Sequence, residues 1–146
     1  MFSTASKAAQ TYARVGMETG VAAAAPHHLI LMLFDGALLA IAKAGSAMQQ
    51  KQIAEKGQAI SQAIDIIGNG LKASLDFSAG DELSSRLAML YDYMGNRLLH
   101  ANLHNDAAAL DEVSRLLTEL KSAWEEISDD PAVLAIQNNN ANKTVA

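Results

Sequence analysis

Cysteine is absent from this 146-residue chain, which excludes disulfides, thiolate metal sites and cysteine nucleophiles. Long apolar runs are absent as well. The longest strongly apolar stretch, Leu29 to Phe34, is far too short to span a bilayer and stops at Asp35. The opening segment, MFSTASKAAQTYARVG, lacks the apolar stretch of a secretory signal. Basic residues are few and scattered: 11 Lys and Arg face 16 Asp and Glu, for a net charge of −5, and no two basic residues are adjacent. A duplex binder concentrates Lys and Arg on one face to neutralise phosphates, so nucleic acid is not an expected partner. The composition therefore predicts a soluble, cytoplasmic protein with no membrane insertion.

What is present is one domain's worth of helix-forming sequence. Half of the residues are apolar, yet mean hydropathy is only +0.07, because alanine supplies much of that half. A chain of this length buries roughly 68–70% of its unfolded surface and needs no covalent staple. Residues 1–25 are small and weakly patterned and read as an N-terminal arm, helical in part. Residues 26–128 carry four helical patterns. The first runs from about Pro26 to Met48, with proline suited to an opening turn. The second runs from Gln52 to Ser74, with Ile53, Ile60, Ile64, Ile67 and Leu71 on one stripe of a 3.6-residue period. The third runs from Asp81 to Leu103, with Leu83, Leu87, Leu90, Met94 and Ala101 inward. Asn105 or Asp106 can cap the fourth, whose seam is Leu110, Val113, Leu117, Leu120, Trp124 and Ile127. The polar, Asn-rich residues 129–146 cannot bury enough apolar surface to order themselves and read as a disordered tail. No useful strand-period segment appears, so the expected fold is all-α: an antiparallel four-helix bundle with short loops.

Catalytic patterns are missing. No glutamate is followed three residues later by histidine, the signature of a di-iron bundle, and no serine sits in a Gly-x-Ser-x-Gly elbow. Gly68-Asn69-Gly70 lacks the lysine and hydroxyl of a phosphate loop. His100 and His104 have the i, i+4 spacing of a two-histidine metal site, but a solvated or helix-capping role is the expectation, as it is for His27 and His28. Asp35, alone in an apolar stretch, reads as a buried carboxylate bonded to backbone or to a tyrosine. No catalytic residue, metal or cofactor is expected.

The informative residues are those that the bundle seams leave over. On the second helix Ala59, Ala63, Ile66, Gly70 and Ala73 form a second face, mostly small. On the third, Met89 and Tyr93 project away from the core line. On the fourth, Ala109, Leu116 and Ala123 widen the seam. Small residues flanked by isolated large ones make grooves that accept the apolar face of a helix. Methionine adapts its shape to such a ligand, and tyrosine adds a polar tip. The same faces would also suit the N-terminal arm or a second copy of the chain. Six glycines, at 36, 45, 57, 68, 70 and 95, fall inside the predicted helices, either for close helix approach or for adaptability.

Several of these residues also form a recognisable set. They include Tyr12-x-x-Val15, Pro26-His27-His28-Leu29, Leu31-Met32-Leu33-Phe34-Asp35-Gly36-Ala37 and Gly70-Leu71-Lys72-Ala73-Ser74-Leu75-Asp76. Further along come Leu90-Tyr91-Asp92-Tyr93-Met94, Arg97-Leu98-Leu99, Ala101-Asn102-Leu103-His104-Asn105-Asp106 and finally Trp124. In this order and spacing, from Tyr12 to Ser128, the chain resembles the FliS family of flagellar secretion chaperones. Ala79-Gly80-Asp81 and Gly95 depart from the family pattern. The resemblance implies a compact helical bundle whose client is the disordered C-terminal segment of flagellin, which gains helix as it wraps the bundle. It implies an N-terminal arm near the client groove, contact with the flagellar export gate once loaded, and no catalysis. Joined to the face analysis, it makes Tyr12, Ala59, Ala63, Ile66, Met89, Tyr93 and Leu116 the candidate partner-binding residues. Two rival functions are a metal-binding bundle built on His100 and His104, and a self-associating structural bundle. A homodimer of the free protein is compatible with the chaperone reading too.

Overall fold

Pro26 opens helix α1, Pro26–Gln49, with its fixed φ and its missing N–H in the one turn where no partner is lost. The helix stops because Lys51 turns left-handed at φ 59°. The Lys51 and Gln52 N–H groups then fold back on the carbonyls of Met48 and Ala47, at 3.2 and 2.9 Å, satisfying two of the last orphan acceptors. Helix α2, Ile53–Asp65, continues without a break into a π-helical turn, Ile66–Leu71, and a 3-10 turn, Lys72–Ser74. Helix α3, Glu82–His104, ends as α1 does: Asn105 is left-handed at φ 50°, and the Asp106 N–H reaches the Ala101 carbonyl at 3.1 Å. Asp106 then starts α4, Ala107–Ser128, its Oδ1 accepting from the Ala109 N–H at 3.3 Å. This structure is a computed structural model that describes residues 26–77 and 82–128. The expected arm 1–25, the tail 129–146 and part of the α2–α3 turn lie outside the described residues.

Cross-helix contacts fix the topology. Gly70 lies against Leu33 and Gly36 against Ile66, so α2 runs antiparallel to α1. Lys56 reaches Asn102 and Asn105 while Lys72 reaches Asp92, which sets α3 antiparallel to α2. His27 meets Trp124 and Asp35 meets Lys121, closing α4 onto α1. The described residues form an all-α, up-down-up-down bundle of four helices. Leu33, Ile60, Ile66, Ile67, Met94, Leu98 and Leu117 are at most 1% exposed at its centre.

The helix boundaries match the sequence expectation to within about a residue, and most seam residues are buried or pack on the core. Three do not. Ile53, Leu83 and Ile127 are exposed, because each sits in the terminal turn of its helix, where no neighbour extends far enough to cover it. By length and composition α1 alone among the described helices could cross a membrane, but its apolar stripe of Leu33, Phe34, Ala37, Ile41 and Ala44 is the bundle core.

Two histidine and lysine placements depart from simple periodicity. His27 is buried rather than solvated: its ring stacks on Trp124 at 4.6 Å and 7°, and the Trp124 Nε1–H donates to the His27 carbonyl at 2.9 Å. Lys56 is buried as well, its Nζ donating to the Asn102 carbonyl at 3.0 Å and to Asn105 Oδ1 at 2.5 Å. The ammonium therefore sits at the C-terminal end of α3, where the helix dipole favours a cation and free carbonyls need donors.

Candidate functional site

Two faces carry the candidate partner-binding residues, and the bundle buries most of one of them. The small face of α2 packs into the bundle. Ala63 and Ile66 are 0% and 1% exposed, and Ala59 and Gly70 are buried too. Each helix of a four-helix bundle touches two neighbours, so its buried arc is wide and carries two stripes. On α2 the Ile60–Ile67–Leu71 stripe lies on the side of Lys56, which reaches α3, while the small stripe faces α1. There Ile66 Cδ1 lies 3.4 Å from where a Cβ on Gly36 would stand, and the corresponding point on Gly70 is 3.1 Å from a Leu33 methyl. The small residues let α1 and α2 approach closely, as the π-helical turn brings Ile66, Ile67, Gly70 and Leu71 all inward. As free contact residues, Ala59, Ala63 and Ile66 are corrected to core. Above them a shallow hollow of about 410 Å³ lies between α1 and α2, rimmed by Lys43, Gln52, Glu55, Gln58 and Gln62.

The α3–α4 seam is different. Met89 is 72% exposed and Tyr93, one turn on, 42% exposed. Across the seam the Tyr93 hydroxyl donates to Glu112 Oε2 at 2.7 Å. Because the helices are antiparallel, Met89, one turn before Tyr93, is level with Leu116, one turn after Glu112. Leu116 is half-buried against the core, and Ala109 beneath the seam is fully buried. Three of the seven candidates, Met89, Tyr93 and Leu116, thus lie along one helix pair, the first two exposed and the third half-buried. Ala123 is exposed farther along the same side of α4. Tyr12 lies outside the described residues.

A polar chain runs from this seam to the α3–α4 turn. The second oxygen of Glu112 accepts from Arg97 Nε at 2.7 Å. Arg97 also approaches Asp106 at 3.9 Å, and His100 Nε2 lies 3.2 Å from the same carboxylate. The Tyr93 and Arg97 bonds hold the Glu112 carboxyl below its ordinary value of 4.5, and the bond to Glu112 raises the Tyr93 hydroxyl above 10. Tyr91, two residues earlier, points the other way: it is buried, and burial pushes its hydroxyl up to about 12. Sequence reasoning missed this chain. The i, i+4 spacing of Tyr93 and Arg97 was its one visible sign.

Other candidate chemistry dissolves in the structure. Asp35 is not buried: its side chain is 60% exposed and pairs with Lys121 Nζ at 2.7 Å. His100 and His104 have ring centroids 4.5 Å apart, but His100 is engaged by Asp106, and among the described residues no group of three or more His, Cys, Asp or Glu could hold a metal.

The comparison with known proteins fits this bundle. The profile of the family described as "Flagellar protein FliS" matches residues 8–131. The chain belongs to the FliS family. It is 50% identical over 119 residues to the flagellar secretion chaperone FliS of Salmonella typhimurium, covering 82% of this chain and 88% of that protein. It is 49% identical over 124 residues to FliSB of Pseudomonas aeruginosa, covering 85% and 98%. It is 44% identical over 130 residues to FliS of Escherichia coli, covering 89% and 96%. The family match spans all four helices of the described bundle, including every residue of the α3–α4 seam.

Proposed function

We propose that this FliS-family protein is a cytosolic, non-catalytic export chaperone that binds the C-terminal segment of flagellin along the α3–α4 seam. The observation that carries the reading is the line of Met89, Tyr93 and Leu116. Met89 and Tyr93, in the middle of a long helix, stay exposed beside a half-buried Leu116 although the core beneath them is complete. A core-only sequence would place polar residues there. An unfolded client segment that becomes helical can lay its apolar face into such a crevice.

The mechanism is masking. Flagellin's terminal segments drive its assembly by packing as helices, so a client whose C-terminal segment is engaged cannot polymerise. Ordering that segment costs conformational entropy, which offsets part of the contact energy. The complex is specific yet separable, and delivery to the flagellar export gate requires only that the client be released there. No nucleotide takes part.

The test is a titration of the purified protein with a peptide covering the C-terminal segment of its host's flagellin, followed by calorimetry and circular dichroism. Saturable one-to-one binding with a gain of helix is expected. A peptide that fails to bind at high concentration, or flagellin that polymerises equally fast with the protein in excess, would contradict the reading.

A further inference from the structure

The proposed crevice contains a polar residue that its apolar logic does not require. Glu112 sits on α4 beside Leu116 and has both carboxylate oxygens occupied from α3, one by the Tyr93 hydroxyl and one by Arg97 Nε, each at 2.7 Å. The two donors are four residues apart and share a face of α3. Arg97 is steadied in turn by Asp106, which caps α4 through its other oxygen. The carboxylate is therefore anchored on both sides, and the tyrosine tip is anchored to it.

Stability alone gives this arrangement little purpose. A partly exposed ion pair adds only modestly to stability, and the core beneath is already close-packed. An exposed tyrosine without a partner samples several rotamers and must be ordered whenever a ligand packs on its ring. Fixing an aromatic anchor beforehand removes that ordering cost from binding. With its hydroxyl proton committed to Glu112, Tyr93 turns its ring to an incoming segment.

We propose that Glu112 is a positioning residue of the client crevice, holding the Tyr93 ring in its binding orientation through the hydroxyl. This rests on the α3–α4 seam being the client site. Glu112 touches the client through Tyr93 and not directly.

The experiment compares the flagellin C-terminal peptide on the wild-type chain, Tyr93→Phe, Glu112→Ala, the double variant, Glu112→Gln and Met89→Ala. Each of Tyr93→Phe and Glu112→Ala should raise Kd by about threefold to tenfold, the scale of one hydrogen bond. The double variant should be no weaker than the worse single, because both remove the same bond. Glu112→Gln should recover part of the loss, since its amide oxygen still accepts from Tyr93. In the free protein, carbon-13 tyrosine signals should show the Tyr93 hydroxyl titrating closer to 10 in Glu112→Ala. If Met89→Ala weakens the peptide while Tyr93→Phe and Glu112→Ala bind like wild type, the positioning role is overturned and the crevice stands. Losses that multiply in the double variant also overturn it, because they mark independent contacts. If the peptide does not bind the wild-type chain, or Met89→Ala also binds normally, the crevice fails and the positioning role fails with it.

Discussion

The α1–α2 interface and the α3–α4 seam use opposite residue types and end in opposite states. Along α1–α2, alanines and glycines bring two helices so close that Gly70 abuts Leu33, and the small residues between them are buried. Along α3–α4, Met89 and Tyr93 stay exposed, and a polar bridge spans the seam above the apolar core. In a sequence, a stripe of small residues looks like a groove. In a bundle it is more readily the place where a neighbouring helix lies. A usable crevice is marked instead by large apolar residues for which the core has no room.

The contrast can be broken most forcefully in the core. Ile66→Ala should destabilise the bundle by about 2–5 kcal/mol in urea unfolding, the cost of a cavity at a fully buried site. Met89→Ala should shift stability by no more than about 0.5 kcal/mol, as an exposed substitution does. Equal effects would erase the distinction between the two surfaces. Next in size is Lys56→Met, which keeps the packing of the stem but removes the ammonium from Asn102 and Asn105. It should cost about 1.5–3 kcal/mol, the range of hydrogen bonds to a charged group. A neutral result would mean that the α3 terminus is adequately served by water.

The polar bridge across α3–α4 has a pH signature. The folded state holds the Glu112 carboxyl below its ordinary 4.5, so its stabilisation is present above pH 4.5 and is lost as pH falls below that value. Glu112→Gln should therefore be less stable than wild type at pH 7, and the gap should close in urea midpoints measured below pH 4.5. A gap that persists in acid would mean that the carboxylate's charge does not hold the bridge. The smallest effect belongs to the α1–α4 pair: Asp35→Asn should cost less than about 1 kcal/mol, and less still in high salt, since the Asp35 side chain is largely in water. A larger loss would make this surface pair part of the core account.

Much of the fold was legible in the chain itself. Pro26, Asp106 and the 3.6-residue period of α4 mark helix starts and faces by local chemistry alone, and the long seams around Ile60, Met94 and Leu117 are buried as the period requires. The candidate site was legible in part. Met89, Tyr93 and Leu116 stand out because they do not fit the core line of their own helix. Ala59, Ala63 and Ile66 do not fit it either, and nothing local distinguishes a second neighbour from a ligand. That depends on where α1 lies, which is tertiary information. For the same reason periodicity exposed neither the burial of His27 against Trp124, 97 residues away, nor the role of Lys56 at a distant helix end.

The central claim is that the client lies on α3–α4 and not on α1–α2. Methyl-labelled methionine NMR during titration with the flagellin C-terminal peptide tests it directly, because Met89 stands on the seam and Met48 at the end of α1. The account predicts a Met89 signal that shifts and saturates at one equivalent while Met48 stays close to its free position. Saturable binding that leaves Met89 unmoved and displaces Met48 would contradict it.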